Sequence, residues 1–243
     1  MQVYTTNYPV TTVHVDRFGR CTPASLLRFA QDAAGEHCTH LGTDWDSMVK
    51  MNYFWAVVRQ RIEITRLPEA GETVTVKTWP MPTTKVAYPR ATEGFDGSGN
   101  TLFKVISVWV IVDIHSRAMV LPGKSGVTVE GICFGTELKT PGTLSVAEAS
   151  HTILRTVNFS DLDVNGHMNN ARYLDWLCDL LPSSFHETHP LKAATVCYMK
   201  EALEGQPLQL DFTEGDVMQV LGSVPRTDVG HGNTRIFTAQ MEF

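Results

Sequence analysis

Six hydrogen-bonding side chains crowd into residues 161–170 of the stretch SDLDVNGHMNNARYLDWLCDLLP: Asp161, Asp163, Asn165, His167, Asn169 and Asn170. A segment with helical apolar spacing follows at once, placing Tyr173, Leu174, Leu177, Leu180 and Leu181 on one face. Asn169 and Asn170 are suitable caps for that helix. Its first-turn amides would then point back at residues 163–167, offering unsatisfied donors and positive dipole character to a developing oxyanion. Asp163, Asn165 and His167 alternate, so an extended segment would show all three on one face. A carboxylate, an amide and an imidazole beside an oxyanion site suit hydrolysis. The plainer alternative is that the Asx residues form turns and caps while His167 is a satisfied, part-buried histidine. A helix start uses one cap, however, and six polar residues exceed that need.

The elements that would position this set are spelled out twice along the chain. A strand-like run over 9–18 precedes a helix in ASLLRFAQDAAGEHCTHLG, where Leu26, Leu27, Ala30, Ala33, Ala34 and His37 share a face and Gly42 stands just past the end. Strand patterns follow over 53–67, 72–80, 84–95 and 101–114, the last two joined by the turn DGSGN at 96–100. The second half repeats the order: a strand over 150–163, a helix in NNARYLDWLCDLLP, then strands over 191–203, 206–215, 216–226 and 234–243. Local turns rhyme as well, EAGETVTV against LEGQPLQL. An apolar-faced helix and a twisted antiparallel sheet cover each other's exposed faces. The expected architecture is therefore α+β, a tandem double hot-dog with two long helices each wrapped by an antiparallel sheet; two unrelated α+β lobes are the alternative. The expected boundaries are 1–120 for the first repeat, 121–146 for a Gly-, Thr- and Pro-rich linker, and 147–243 for the second. The first repeat's matching entrance, DRFGRCTPASLLRF, lacks the polar set. A site in one copy alone favours function over capping.

Composition narrows the classes. The 243 residues are 43% apolar and 19% charged, with net charge −6. That profile is globular, and it disfavours nucleic acid as a partner because phosphate binding needs a concentrated basic surface. No apolar run reaches the roughly 18 residues of a membrane span. The opening MQVYTTNYPVTTVHV has neither a basic region ahead of an apolar block nor transit-peptide character. Five cysteines without CxxC spacing fit reduced thiols. A cytoplasmic protein is expected, without a metal or cofactor.

The string DLDVNGHMNNARYLDW resembles the signature of acyl-acyl carrier protein thioesterases, the plant-type and related bacterial enzymes that release fatty acids. LLRFAQDAAGEH, RLPEAGETVTVKTWP and SVWVIVD in the first half are similar to the same family. The resemblance implies that Asp163, Asn165 and His167, with a downstream Glu that here falls at Glu201 in YMKEAL, form the active site. It also implies an acyl tunnel largely in the first repeat and acyl carrier protein as the partner, with a homodimer compatible. Plant members often follow that Glu with a Cys once taken for a nucleophile; Ala202 stands here, which argues for carboxylate or water attack. Arg172, directly after the motif, is the expected contact for the carrier or its phosphopantetheine phosphate, with Asn169 and Asn170 beside it. An acyl-CoA thioesterase and a non-catalytic acyl-carrier-binding hot-dog protein are the alternatives, a dehydratase a weaker third. His37, Cys38 and His40 lack zinc-type spacing, and GxSxG, P-loop and GxGxxG motifs are absent.

Overall fold

The structure, a computed structural model, describes residues 2–135, 138–225 and 233–243. Residues 136–137 of the expected linker, and Arg226 at the end of one expected strand, lie outside the described residues. The chain divides into two compact units, Met1–Pro141 and Gly142–Phe243.

The first unit runs β1 (Tyr4–Pro9), α1 (Pro23–Leu41), α2 (Trp45–Lys50), β2 (Tyr53–Ile64), β3 (Thr73–Pro80), β4 (Tyr88–Phe95), β5 (Thr101–Asp113), β6 (Met119–Val120) and α3 (Pro122–Ser125). Its antiparallel strands are ordered β1-β3-β4-β5-β2, and β6 pairs with β5. Helix α1 starts where Thr22 Oγ1 accepts the Ser25 amide and Pro23 occupies the first turn; it stops at Gly42, whose φ is +67°. Its face of Leu26, Leu27, Phe29, Ala30, Ala33, Ala34 and His37 is buried against the sheet. Ser125 and Val127, from the stretch expected as a linker, pack on this unit: the Tyr88 hydroxyl reaches Ser125 Oγ at 2.9 Å and the Val127 carbonyl at 3.2 Å.

The second unit runs β7 (His151–Thr156), a 3₁₀ turn (Phe159–Asp161), α4 (Arg172–Cys178), α5 (Ser183–Thr188), β8 (Ala193–Tyr198), β9 (Pro207–Phe212), β10 (Val217–Val224) and β11 (Thr234–Glu242). Its order, β7-β9-β10-β11-β8, matches the first unit strand for strand. The match extends to single hydrogen bonds. Gly71 N–H donates to the Val10 carbonyl at 2.8 Å, and Gly205 N–H to that of Val157 at 2.9 Å. The Glu69 amide donates to Glu72 Oε1 at 2.7 Å, and the Leu203 amide to Gln206 Oε1 at 3.0 Å. The rhyming turns of the sequence are thus one turn used twice.

Three expectations change. The first strand is Tyr4–Pro9, ahead of the expected 9–18, because pairing with β3 ends at Pro9 and the chain then turns, His14 N–H reaching the Thr11 carbonyl at 3.0 Å. Likewise β7 ends at Thr156, before the 3₁₀ turn that occupies the rest of the expected 150–163. The second long helix is a short one. Beyond Cys178 the backbone tightens to i→i+3 bonds, Leu180 to Leu177 and Leu181 to Cys178, and Pro182 prevents continuation.

Candidate active site

The polar set lies in a tight hairpin, where an extended strand was expected. Leu162 and Met168 bridge at its base; Asp163 N–H donates to the His167 carbonyl at 2.9 Å, and Gly166 N–H to the Asp163 carbonyl at 3.0 Å. Asp163 Oδ1 accepts the Asn165 amide at 2.8 Å, and Gly166 takes φ +74°. Asp at the first position and a left-handed Gly at the fourth are what such a turn selects. Asp163 is half-buried and Asn165 exposed.

The first unit holds the same hairpin. There Asp16 N–H donates to the Arg20 carbonyl at 2.7 Å, Gly19 N–H to the Asp16 carbonyl at 3.0 Å, and Phe18 N–H to Asp16 Oδ1 at 2.8 Å; Gly19 has φ +78°. Its last strand is tied down by Cys21 N–H to the Pro68 carbonyl at 2.7 Å, as Met168 N–H is to the Ala202 carbonyl at 2.9 Å. The two copies therefore align residue for residue. Asp163 and Gly166 are shared with a copy that lacks the polar set, so turn formation accounts for both. What differs is Asn165 for Phe18, His167 for Arg20, and Glu201 for Leu67.

Those differing residues include a close polar pair. The bond from Met168 to Ala202 and the bridge of His167 with Leu203 bring the loop after β8 alongside. Glu201 Oε2 then stands 3.3 Å from His167 Nε2, with side chains 41% and 22% exposed, within reach of water. Glu201 lies in that loop and not in a strand as its apolar flanks suggested. In the first copy the hairpin cation is met locally instead: Arg20 Nε is 3.6 Å from Asp16 Oδ2.

The helix entrance departs from expectation. α4 begins at Arg172, after Ala171, with no side-chain cap; Asn169 Oδ1 accepts the Ala171 amide at 2.9 Å, shaping the turn before the helix. The amides of Asn169 and Arg172 are also engaged, with the Asp161 and Asn169 carbonyls at 2.9 Å each. These three donors are satisfied within the loop, which removes them from the expected oxyanion set. The Asn170 carbonyl accepts the Tyr198 hydroxyl at 3.1 Å, fixing that turn to β8. Arg172 is paired with Asp175 at 3.1 Å and half-buried, so any contact with a carrier competes with that bridge.

The remaining candidates are used structurally. Cys197 is buried, its thiol donating to the Gly142 carbonyl at 3.5 Å, and Cys178 lies in the last turn of α4. His37 is fully buried with its Nδ1 3.1 Å from the Arg90 guanidinium, and Arg90 also reaches Cys38 Sγ at 3.6 Å. Asp161, indistinguishable by spacing from its polar neighbours, is buried.

Residues 1–121 match the acyl-ACP thioesterase N-terminal domain and residues 145–230 the C-terminal domain. The chain is 26% identical over 235 residues to the palmitoyl-acyl carrier protein thioesterase of Gossypium hirsutum, covering 88% of this chain and 55% of that protein. It spans about half the length of the curated relatives it matches first (55%, 57% and 52%). An acyl-ACP thioesterase from Bacteroides thetaiotaomicron superposes with a TM-score of 0.86 at 24% identity, over 99% of this chain and 97% of that one. The 12:0-ACP thioesterase of Umbellularia californica gives 0.81 at 22%, over 99% and 96%. At these identities the superpositions establish the fold, which is the double hot-dog expected. With both domain models matched in order along the chain, one to each repeat, the protein belongs to the acyl-ACP thioesterase family.

Proposed function

We propose that the chain hydrolyses fatty acyl thioesters of acyl carrier protein, releasing a free fatty acid and the carrier's thiol. The observation that carries this reading is the His167–Glu201 pair, present in one copy of a duplicated scaffold and replaced by Arg20 and Leu67 in the other. In the proposed reaction Glu201 orients the imidazole from Nε2, and the pair takes a proton as water attacks the thioester carbonyl. The same proton goes to the departing sulfur when the tetrahedral intermediate collapses. Asn165 orients the water or thioester from the exposed turn, and Asp163 holds that turn in shape. Arg172, exchanging Asp175 for an anionic group, is the proposed carrier contact, with Asn169 and Asn170 setting the path of the chain beside it. Membership of the family supports the substrate class, and five cysteines without CxxC spacing accord with a reducing, cytoplasmic setting.

The test is steady-state hydrolysis of carrier-linked and CoA-linked acyl thioesters, followed by release of the thiol. His167→Ala and Glu201→Gln are expected to lower kcat by about 10²–10⁴ with the fold retained, the range for general acid–base groups. Near-parent turnover in both variants would remove the pair from the reaction. The carrier reaction should also weaken more than the CoA reaction as salt rises, because the carrier's docking contacts are screened.

A further inference from the structure

Aligning the two copies isolates a second exchange, beneath the hairpin. In the first copy two rings pack on Phe29 of α1: Tyr8 stacks on it at 4.8 Å and His14 meets it edge-on at 5.0 Å, while His14 Nδ1 accepts the Thr11 amide at 3.0 Å and its carbonyl the Thr22 amide at 2.9 Å. In the second copy the three matching positions are Trp176, Arg155 and Asp161, and the packing has become polar. The Arg155 guanidinium lies 4.4 Å over the Trp176 ring and is bridged to Asp179 at 2.7 Å. Trp176 Nε1–H donates to Asp161 Oδ1 at 3.2 Å. Asp161 Oδ2 accepts the Asn158 amide at 2.9 Å, and its main-chain carbonyl accepts the Asn169 amide at 2.9 Å. Asp161 is only 7% exposed and Trp176 1%.

A buried carboxylate is costly unless each of its acceptors is used. The Asn158 and Asn169 bonds have counterparts at His14, so what the carboxylate adds is its bond to Trp176, where an aromatic edge serves the other copy. At Asp161 the 3₁₀ turn, the base of the hairpin and α4 meet, and His167 lies two residues from Asn169, whose amide the Asp161 main-chain carbonyl holds. We propose that Asp161 is a positioning residue for the reaction: its carboxylate locks the hairpin onto Trp176 so that the His167 imidazole stays opposite Glu201. The copy without the pair has no hairpin imidazole to aim, and there the same position meets Phe29 as an aromatic edge while its ring nitrogen holds the Thr11 amide. The proposal rests on the thioesterase reading for its kinetic consequence, though not for its geometry.

Full-length variants test it by two measurements. The first is the ring-nitrogen chemical shifts of His167 in protein labelled with ¹⁵N at histidine, which report the nitrogen that carries the proton. Glu201→Gln calibrates this signal. The second is the separation of kcat from KM. Asp161→Ala is expected to move the His167 shifts toward those of Glu201→Gln and to lower kcat by about tenfold to a hundredfold, the scale of a 1 Å misplacement, with KM unchanged. Asp161→Asn keeps one acceptor oxygen and should recover part of both. Trp176→Phe removes the indole donor while keeping an aromatic ring, and should shift the same signals less; it decides the matter if Asp161→Ala fails to fold. His14→Ala, at the matching position of the first copy, should lower stability without lowering hydrolysis. Unchanged His167 shifts in both Asp161→Ala and Trp176→Phe would overturn the proposal, as would a loss of hydrolysis in His14→Ala equal to theirs. If the parent protein hydrolyses no thioester, the function assigned to the site fails, while the imidazole shifts still decide whether Asp161 positions it.

Discussion

Gly222 of β10 faces Phe237 of β11 across an antiparallel pair, and the ring lies over the glycine. A methyl group added there would come within 2.7 Å of Cζ and closer still to Cε1. Carbon atoms prefer about 3.5–4.0 Å, so the ring would have to retreat by roughly 1 Å or more. It has nowhere to go: Phe237 is fully buried, edge-on to Tyr173 of α4 at 4.9 Å, and Tyr173 meets Tyr198 at 5.0 Å. Replacing a strand glycine by alanine on its own stabilises by about 0.5–1 kcal/mol, whereas overpacking costs about 1–3 kcal/mol. Gly222→Ala should therefore destabilise by a net of about 1–2 kcal/mol, against the trend for such a change. Urea denaturation followed by two probes, which checks that the two units unfold together, measures the difference. The decisive comparison is a double-mutant cycle. Phe237→Ala alone should cost about 3–5 kcal/mol, and adding Gly222→Ala to it should cost nothing more, giving a coupling of about 1–2 kcal/mol. A neutral or stabilising Gly222→Ala, or a cycle additive to within about 0.5 kcal/mol, would refute the reasoning. Because the displaced ring presses on Tyr173, hydrolysis should fall as well. Gly94→Ala in the first copy, where a methyl would come within 2.6 Å of Phe103 Cδ1, should carry a similar stability cost.

Two further outcomes are expected. Arg66 grips Glu72 through both oxygens at 2.7 and 2.8 Å, and this holds the Glu72 carboxyl below its usual range. A depressed folded-state pKa means the stabilisation is present above the unfolded value of about 4.3 and disappears as pH falls through the folded one. Glu72→Gln, which copies Gln206 of the second repeat, should thus cost at most about 1 kcal/mol at neutral pH, because the pair is part-exposed. That deficit should fade in acid; a difference in stability that does not change between neutral and strongly acidic pH would contradict the assignment. Cys178→Ala and Cys197→Ala should each leave turnover at the parent rate, since neither thiol belongs to the His167–Glu201 pair. A loss as large as that of His167→Ala would reinstate sulfur as the nucleophile.

Much of this architecture was legible in one dimension because its cues are local. The α1 face, its stop at Gly42, the turn at 96–100 and the paired turns at 69–72 and 203–206 are all written in short-range spacing, and the backbone follows them. The failures have a common physical origin. Val13 and Val15 imitate strand alternation, yet Val13 is 83% exposed, because what ends a strand is the loss of a partner and not a change in its own pattern. Leu180 and Leu181 continue the spacing of α4 although its backbone has already tightened ahead of Pro182. Alternation likewise suggested an extended 163–167, while the Asp and the fourth-position Gly, repeated in VDRFGRC, were the better guide. Asp161 could not be distinguished from its neighbours, since composition does not reveal which carboxylate is buried. The encounter of His167 with Glu201 is a long-range event, and only the family resemblance suggested it.

The two hairpins share one set of main-chain bonds and the Asp and Gly of the turn but differ at the other tip positions, so the proposed reaction is a matter of replacement within a standing framework. Exchanging Phe18, Arg20 and Leu67 for Asn, His and Glu would disturb none of the backbone pairings that close the first loop. A duplicated gene segment with such a frame is free to drift at its tip, and either half can acquire or surrender a reaction without having to relearn how to fold.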